Sequence, residues 1–246
     1  MKSLRFAFSL LTTIPSGYKE LPNEKSFRLS VYFFPLCGYV LAIFTVLPFY
    51  YFSQLFYIHD LIEAIGMTAL LFLLTGGLHL DGFADSCDAL MCSASPERRI
   101  EILHDSRLGA FATIGLILLL SAKISALFVL IRANEYIGIF CMIVIARFMM
   151  VFLIKIGRFY PFERGMGKEI IGKIPWLTVF ITLIYTAPCI FSSWNTFIIT
   201  IILIPVVIYF NSRVKSKLGG ISGDILGASV ELTETIGLVL LTIKPL

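Results

Sequence analysis

The stretch GGLHLDGFADSCDAL, residues 76–90, places His79 and the carboxylates of Asp81, Asp85 and Asp88 directly behind the apolar run MTALLFLLT. The acids are spaced i, i+4, i+7, so a helix continuing through them projects all three from one face. Like charges four residues apart oppose a helix, and the C-terminus of the preceding apolar helix would repel carboxylates further. A bound divalent cation reverses each of those signs. Mg²⁺ suits the pattern, because it takes one or two carboxylates together with waters and substrate phosphates. A solvated acidic loop would also tolerate the cluster. Against that, His79 still lies in the apolar run, and Gly76, Gly77 and Gly82 are residues whose use is close approach of a backbone or ligand. His79 or one of the aspartates is then the proton acceptor in any chemistry at the metal.

Later segments supply further candidates. GGISGD (219–224) echoes GGLHLD (76–81) as GG-x-x-x-D, which offers Asp224 as a fourth metal ligand from a distant helix. Lys123 in LLLSAKISALF and Arg147 in IVIARFMMVF lie inside apolar runs. Ionisable residues at that depth face a cavity or a partner. Lys123 reads equally as a substrate contact or as half of an ion pair with Glu63, Glu231 or Glu234, whereas a guanidinium such as Arg147 forks well onto phosphate. In HDSRLG, Asp105 or Ser106 can cap the next helix, and Arg107 is placed to meet phosphate. Arg164 belongs to the basic stretch PFERGMGKEIIGK. GKEIIGKI has the glycine and lysine spacing of a phosphate-binding loop, but Ile174 stands where Ser or Thr should hold the metal and no strand precedes it.

Membrane helices must position these groups. Of the 246 residues 58% are hydrophobic and only 15% charged, against roughly 25% charged in a soluble domain. Seven spans are expected, near 29–52, 61–80, 111–131, 136–156, 174–192, 195–211 and 225–243, each close to the ~20 residues that cross a bilayer. The fifth and sixth share one uncharged stretch, so SSWN between them reads as a hairpin turn. The seventh carries Glu231 and Glu234. The fold class expected is all-α, a polytopic helical bundle forming a single membrane-embedded catalytic domain over 1–246. Its first residues, ahead of Pro15, read as an amphipathic or half-inserted segment and not as a cleaved signal peptide. Cys37, Cys87, Cys92, Cys141 and Cys189 contain no CxxC pair and indicate neither zinc nor a disulfide framework.

Segments 1–28, 81–110, 157–173 and 212–224 hold 15 of the 20 Lys and Arg residues. The positive-inside rule puts these four segments, the N-terminus and nearly all the reactive chemistry at the cytoplasmic side, with Lys123 and Arg147 within spans. The net charge of +4 reflects that orientation and does not point to nucleic acid. Carboxylates, Mg²⁺ and basic side chains at a membrane face suit transfer of a diphosphate-linked group, the metal neutralising the diphosphate while an alcohol attacks phosphorus.

At these residues the sequence resembles the cobalamin synthase family, the adenosylcobinamide-GDP ribazoletransferases. GGLHLDGFADSCDAL is similar to the family's GG-x-H-L-D-G-x-A-D-x-x-D signature, and LGGISGDILGASVELTE to its C-terminal G-G-x-x-G-D-x-x-G-A-x-x-E. RRIEILHDSRLGAFA, AKI, ARF, PFERGMG and IGKI continue the likeness in order. Ala89 departs from it, standing where a glycine is expected. The resemblance implies transfer of the cobinamide-phosphate group of adenosylcobinamide-GDP to α-ribazole or its 5′-phosphate. The products would be adenosylcobalamin, or its 5′-phosphate, and GMP, in the last assembly step of the nucleotide loop. It further implies Mg²⁺ held by Asp81, Asp85, Asp88 and Asp224, with His79, Asp81 and Asp85 catalytic. Asp105, Arg107, Lys123, Arg147 and Arg164 would hold substrate. The expected setting is the bacterial cytoplasmic membrane, with the lipid bilayer as partner, room for a homo-oligomer and no nucleic acid. The alternatives are another Mg²⁺-dependent membrane transferase, of the CDP-alcohol phosphatidyltransferase or prenyltransferase type, and an ion-coupled transporter. The first two lack their own motifs here, since Asp85 stands where the phosphatidyltransferase pattern needs arginine and no N-D-x-x-D occurs.

Overall fold

A computed structural model describes residues 2–17, 23–105, 107–160 and 166–243. The chain runs through helix α1 (Lys2–Leu11) into α2 (Glu24–Ser30), which passes by a 3₁₀ turn into α3 (Phe34–Leu55). Next come α4 (Asp60–Thr75), α5 (Leu78–Met91), α6 (Pro96–Leu103), α7 (Ala110–Arg132) and α8 (Tyr136–Ile156). The chain closes with α9 (Trp176–Ile190), α10 (Trp194–Leu218) and α11 (Gly223–Thr242). A single bridge between Phe159 and Ile221 is the one β pairing among the described residues.

Five helical stretches are long and apolar enough to cross a membrane: 24–55, α7, α8, α10 and α11. The α4–α5 pair makes a sixth if counted together, and α9 is apolar but only 15 residues long. Seven was therefore an approximate count. Helix α8 is the axis: 83% of its most apolar window is buried, and α3, α9, α10 and α11 pack around it. Its centre is Met142, Ile145, Met149 and Leu153. Helices α7 and α10 lie outside and expose Ile114, Ile117, Leu118, Ile201 and Tyr209. So wide an apolar surface is stable only against lipid. The hairpin expected at SSWN is present, with Ser193 capping α10 in a reciprocal bond with Thr196.

The main departure from the sequence reading lies between residues 75 and 78. The helix that was to carry the acids stops at Thr75, and α5 leaves at 92° to α4. Gly76 and Gly77 take left-handed φ of 63° and 73°, a conformation that costs other residues roughly 1–2 kcal/mol. The turn satisfies its own backbone. Gly76 and Gly77 N–H bond to Leu73 and Phe72, while the N–H and hydroxyl of Thr13, far upstream, bond to Leu74 and Leu73. The aspartates thus follow a helix N-terminus, and Asp81 sits in its first turn. The backbone dipole that was expected to repel the acids attracts Asp81, the one in that first turn.

Helix α5 packs against α11 and α7. At 14 residues it extends about 21 Å, too short to span a bilayer. Phe83 and Cys87 turn inward to α7 and α11, and Asp81, Asp85 and Asp88 occupy the opposite face. Its C-terminal carbonyls are held by two cations: Arg99 donates to Ala89 and Leu90 at 2.7 and 3.1 Å, and Lys217 to Leu90.

Candidate active site

The two GG-x-x-x-D segments prove to be two copies of one local device. Each ends a helix with a left-handed glycine, Gly76 and Gly219, and each starts a new helix with an aspartate in its first turn. Glycines then let the two new helices touch. A Cβ on Gly82 would stand 2.5 Å from the carbonyl oxygen of Asp224, and one on Gly227 would stand 3.1 Å from Cα of His79. This contact brings Asp224 alongside Asp81 and Asp85, although the sequence separates them by more than half the chain.

Together they line a cleft of about 340 Å³ whose other wall is the loop carrying His104, Asp105 and Arg107. Among the described residues no Lys or Arg pairs with Asp81 or Asp85. Burial pushes the Asp85 carboxyl up to about 6, and the charges of Asp81, Asp224 and Asp88 add to that push. Opposite them, Arg107 forks onto Asp105, with Nε to Oδ1 at 3.0 Å and Nη2 to Oδ2 at 2.7 Å. These bonds hold the Asp105 carboxyl down at about 2. Arg107 remains largely open to solvent, with guanidinium donors to spare for an incoming anion.

Several expected site residues lie elsewhere. Asp88 turns away to α7, where its two oxygens accept the N–H groups of Gly109 at 2.8 Å and Ala112 at 2.9 Å. Gly109 leaves room for this carboxylate, since a Cβ there would meet both Asp88 oxygens at 2.5 Å and push them off these bonds. Asp88 therefore fastens α5 to α7 instead of facing the cleft. His79 precedes Asp81 by two positions, about 200° around a helix, and is buried behind α5 with neither ring nitrogen bonded. Lys123 and Arg147 do not reach the cleft either. Lys123 bonds to Glu231 at 2.5 Å and Glu234 at 3.0 Å, and Arg147 bonds to Glu234. The anion contact expected of Arg147 is thereby replaced by an internal ion pair, because a charge buried among helices is tolerable only when paired. Arg164, like Ser106, lies outside the described residues. Sequence reasoning missed Arg99 and Lys217 as the caps of α5. Their only signal was position beyond a helix end.

Asp81, Asp85 and Asp224 are the donors that suit a cation here. Among the described residues no three His, Cys, Asp or Glu side chains form a ready-made metal cage. Mg²⁺ needs none, since it keeps waters and is completed by substrate phosphates. Mutually repelling carboxylates gathered in one cleft are a donor set that such an ion would stabilise.

The family model described as cobalamin-5-phosphate synthase matches residues 3–242. Similar sequences include the adenosylcobinamide-GDP ribazoletransferase of Clostridioides difficile, 31% identical over 97% of this chain and 96% of its own length. That of Desulfitobacterium hafniense is 31% identical over 97% and 96%, and that of Syntrophobacter fumaroxidans 34% identical over 94% and 93%. No solved structure matches the chain.

Proposed function

The chain belongs to the cobalamin-5-phosphate synthase family, and on that footing we propose that it is an adenosylcobinamide-GDP ribazoletransferase. It moves the cobinamide-phosphate group of adenosylcobinamide-GDP onto a ribose hydroxyl of α-ribazole or its 5′-phosphate. The hydroxyl oxygen bonds to the phosphorus that carries cobinamide, the bond to the second phosphate breaks, and GMP leaves. We place the cleft on the cytoplasmic side of a bacterial inner membrane, because its walls come from two of the four segments that together hold 15 of the 20 Lys and Arg residues.

The observation that carries this reading is the meeting of Asp81, Asp85 and Asp224 in one cleft beneath Arg107. The three carboxylates would hold Mg²⁺, which when bound neutralises the diphosphate and stabilises the departing GMP. Arg107, open to the cleft, takes phosphate oxygens on its remaining donors. Asp85 lines the same cleft as Asp81 and Asp224, where a carboxylate in reach of the hydroxyl serves as general base. It accepts the proton of the attacking hydroxyl. His79 is separated from that hydroxyl by the thickness of α5 and is not the base.

Detergent-solubilised protein given adenosylcobinamide-GDP and α-ribazole 5′-phosphate should release GMP with Mg²⁺ and stop on chelation. Asp85→Asn should lower turnover by roughly 10²-fold or more. Undiminished GMP release by Asp85→Asn overturns the assignment.

A further inference from the structure

Behind the acidic cleft lies a second chamber of about 230 Å³, and Asp224 lines both. Its walls are apolar and aromatic, with Phe27, Phe34, Met150, Phe159 and Ile170 contributed by α2, α3, α8 and the segments after α8. Two polar side chains belong to the wall, Asp224 at the side shared with the acidic cleft and His79 among the apolar residues. His79 is 1% exposed, and neither Nδ1 nor Nε2 has a hydrogen-bond partner. Buried polar side chains are nearly always bonded, and an orphan asks for an explanation such as a missing ligand.

We propose that this chamber receives the fused azole base of the acceptor nucleoside, and that a ring N–H of His79 donates to the base nitrogen that carries no ribose. The inference rests on the transferase reading above and adds to it the means by which the acceptor is chosen. Size is the first argument. Sites that enclose a whole drug-sized ligand run from roughly 300 to 1,000 Å³, so this chamber is too small for a corrin ring or a complete nucleoside diphosphate. A flat bicyclic ring fits. Hydrogen-bonding capacity is the second. A guanine presents several donors and acceptors along its edge, and with Asp224 committed to the cation in the reading above, apolar walls and one imidazole would leave most of them unsatisfied at a cost. The benzimidazole of α-ribazole keeps one unsubstituted ring nitrogen, an acceptor, and a neutral imidazole has one N–H to give. Position is the third. With the base in the chamber, the ribose reaches the shared wall at Asp224 and its hydroxyls face the acids beyond.

The test uses full-length protein in detergent with Mg²⁺ and compares α-ribazole with the matching indole riboside, in which carbon replaces the unsubstituted nitrogen. Wild type should reject the indole riboside by roughly tenfold or more in kcat/KM, and His79→Leu should accept both about equally. Ile170→Phe, which fills the chamber, should raise KM for α-ribazole roughly tenfold and leave KM for adenosylcobinamide-GDP within about twofold. Equal use of both ribosides by the wild type overturns the proposal without any variant. So does a rise in KM for adenosylcobinamide-GDP alone in Ile170→Phe, which would give the chamber to the donor. Equilibrium dialysis of α-ribazole reads the chamber independently of turnover. Weaker retention by Ile170→Phe than by wild type supports the proposal, and equal retention overturns it. Absence of GMP release from every acceptor would sink the transferase reading alone, the chamber then standing or falling on the dialysis.

Discussion

Asp85 and Asp88 stand on the same face of one short helix and have opposite duties. Asp88 is fully used, with both oxygens on the N-terminus of α7. Asp88→Ala should therefore cost about 1–2 kcal/mol of stability, as lost helix caps do, read as a lower midpoint in denaturant. Among the described residues Asp85 has no such partner and is held against its neighbours' charge. Its folded carboxyl is raised from 3.8 to about 6. The metal-free fold thus binds this proton more tightly than the unfolded chain does. That contribution to stability is complete below the unfolded value and is lost as pH rises through the folded one. A cation held by the ionised carboxylate offsets the loss. The rise in melting temperature on adding Mg²⁺ should accordingly grow between about pH 5 and about pH 7.5, and be much smaller in Asp85→Asn. A Mg²⁺ effect independent of both pH and Asp85 would remove the cation from this site. None of this division of labour can be read from D-x-x-x-D-x-x-D, because the spacing fixes a shared face and not what the face meets.

The spans were legible in the sequence because lipid demands long uncharged runs, and α3, α7, α8 and α10 occupy nearly the residues their hydropathy marks. The break after Thr75 was not, because a glycine pair in an apolar run reads equally as weak helix or as a corner. Distinguishing the two requires φ, and φ here is fixed partly by Thr13 from elsewhere in the chain. The pairing of Asp81 with Asp224 was partly legible, through the repeated GG-x-x-x-D. Gly82 carries that pairing at the level of helices. Its missing Cβ lies 2.5 to 3.0 Å from the backbone of Asp224, which cannot move aside as a side chain would. Gly82→Ala should drive α5 and α11 apart and lower GMP release by roughly tenfold or more, since misplacement by about 1 Å can cost 10²-fold. The protein should still elute as a single species from a sizing column. Wild-type activity in Gly82→Ala would mean that the two helices need not touch.

At the scale of the whole molecule, four charges settle how the bundle holds together. Lys123 on α7, Arg147 on α8 and the pair Glu231 and Glu234 on α11 form one buried network, two positive charges against two negative. The last span tolerates its glutamates for this reason, and the pairing with Lys123 was one of the two readings its sequence offered. Removing one member strands a charge. Arg147→Met should destabilise by about 3–5 kcal/mol and lower the yield of folded protein. Adding Glu234→Gln restores neutrality and should recover most of that loss. Failure of the double variant to improve on the single one would contradict a neutral network. The clasp of Thr13 on Leu73 and Leu74 spans 60 residues of chain, and this separation orders events during synthesis. A ribosome releases the amino-terminal helix long before α4 exists, so Thr13 stays without these acceptors until Leu73 and Leu74 have been made. The corner after Thr75 therefore takes its bonded form only when one of the earliest segments to be synthesised meets one made 60 residues later.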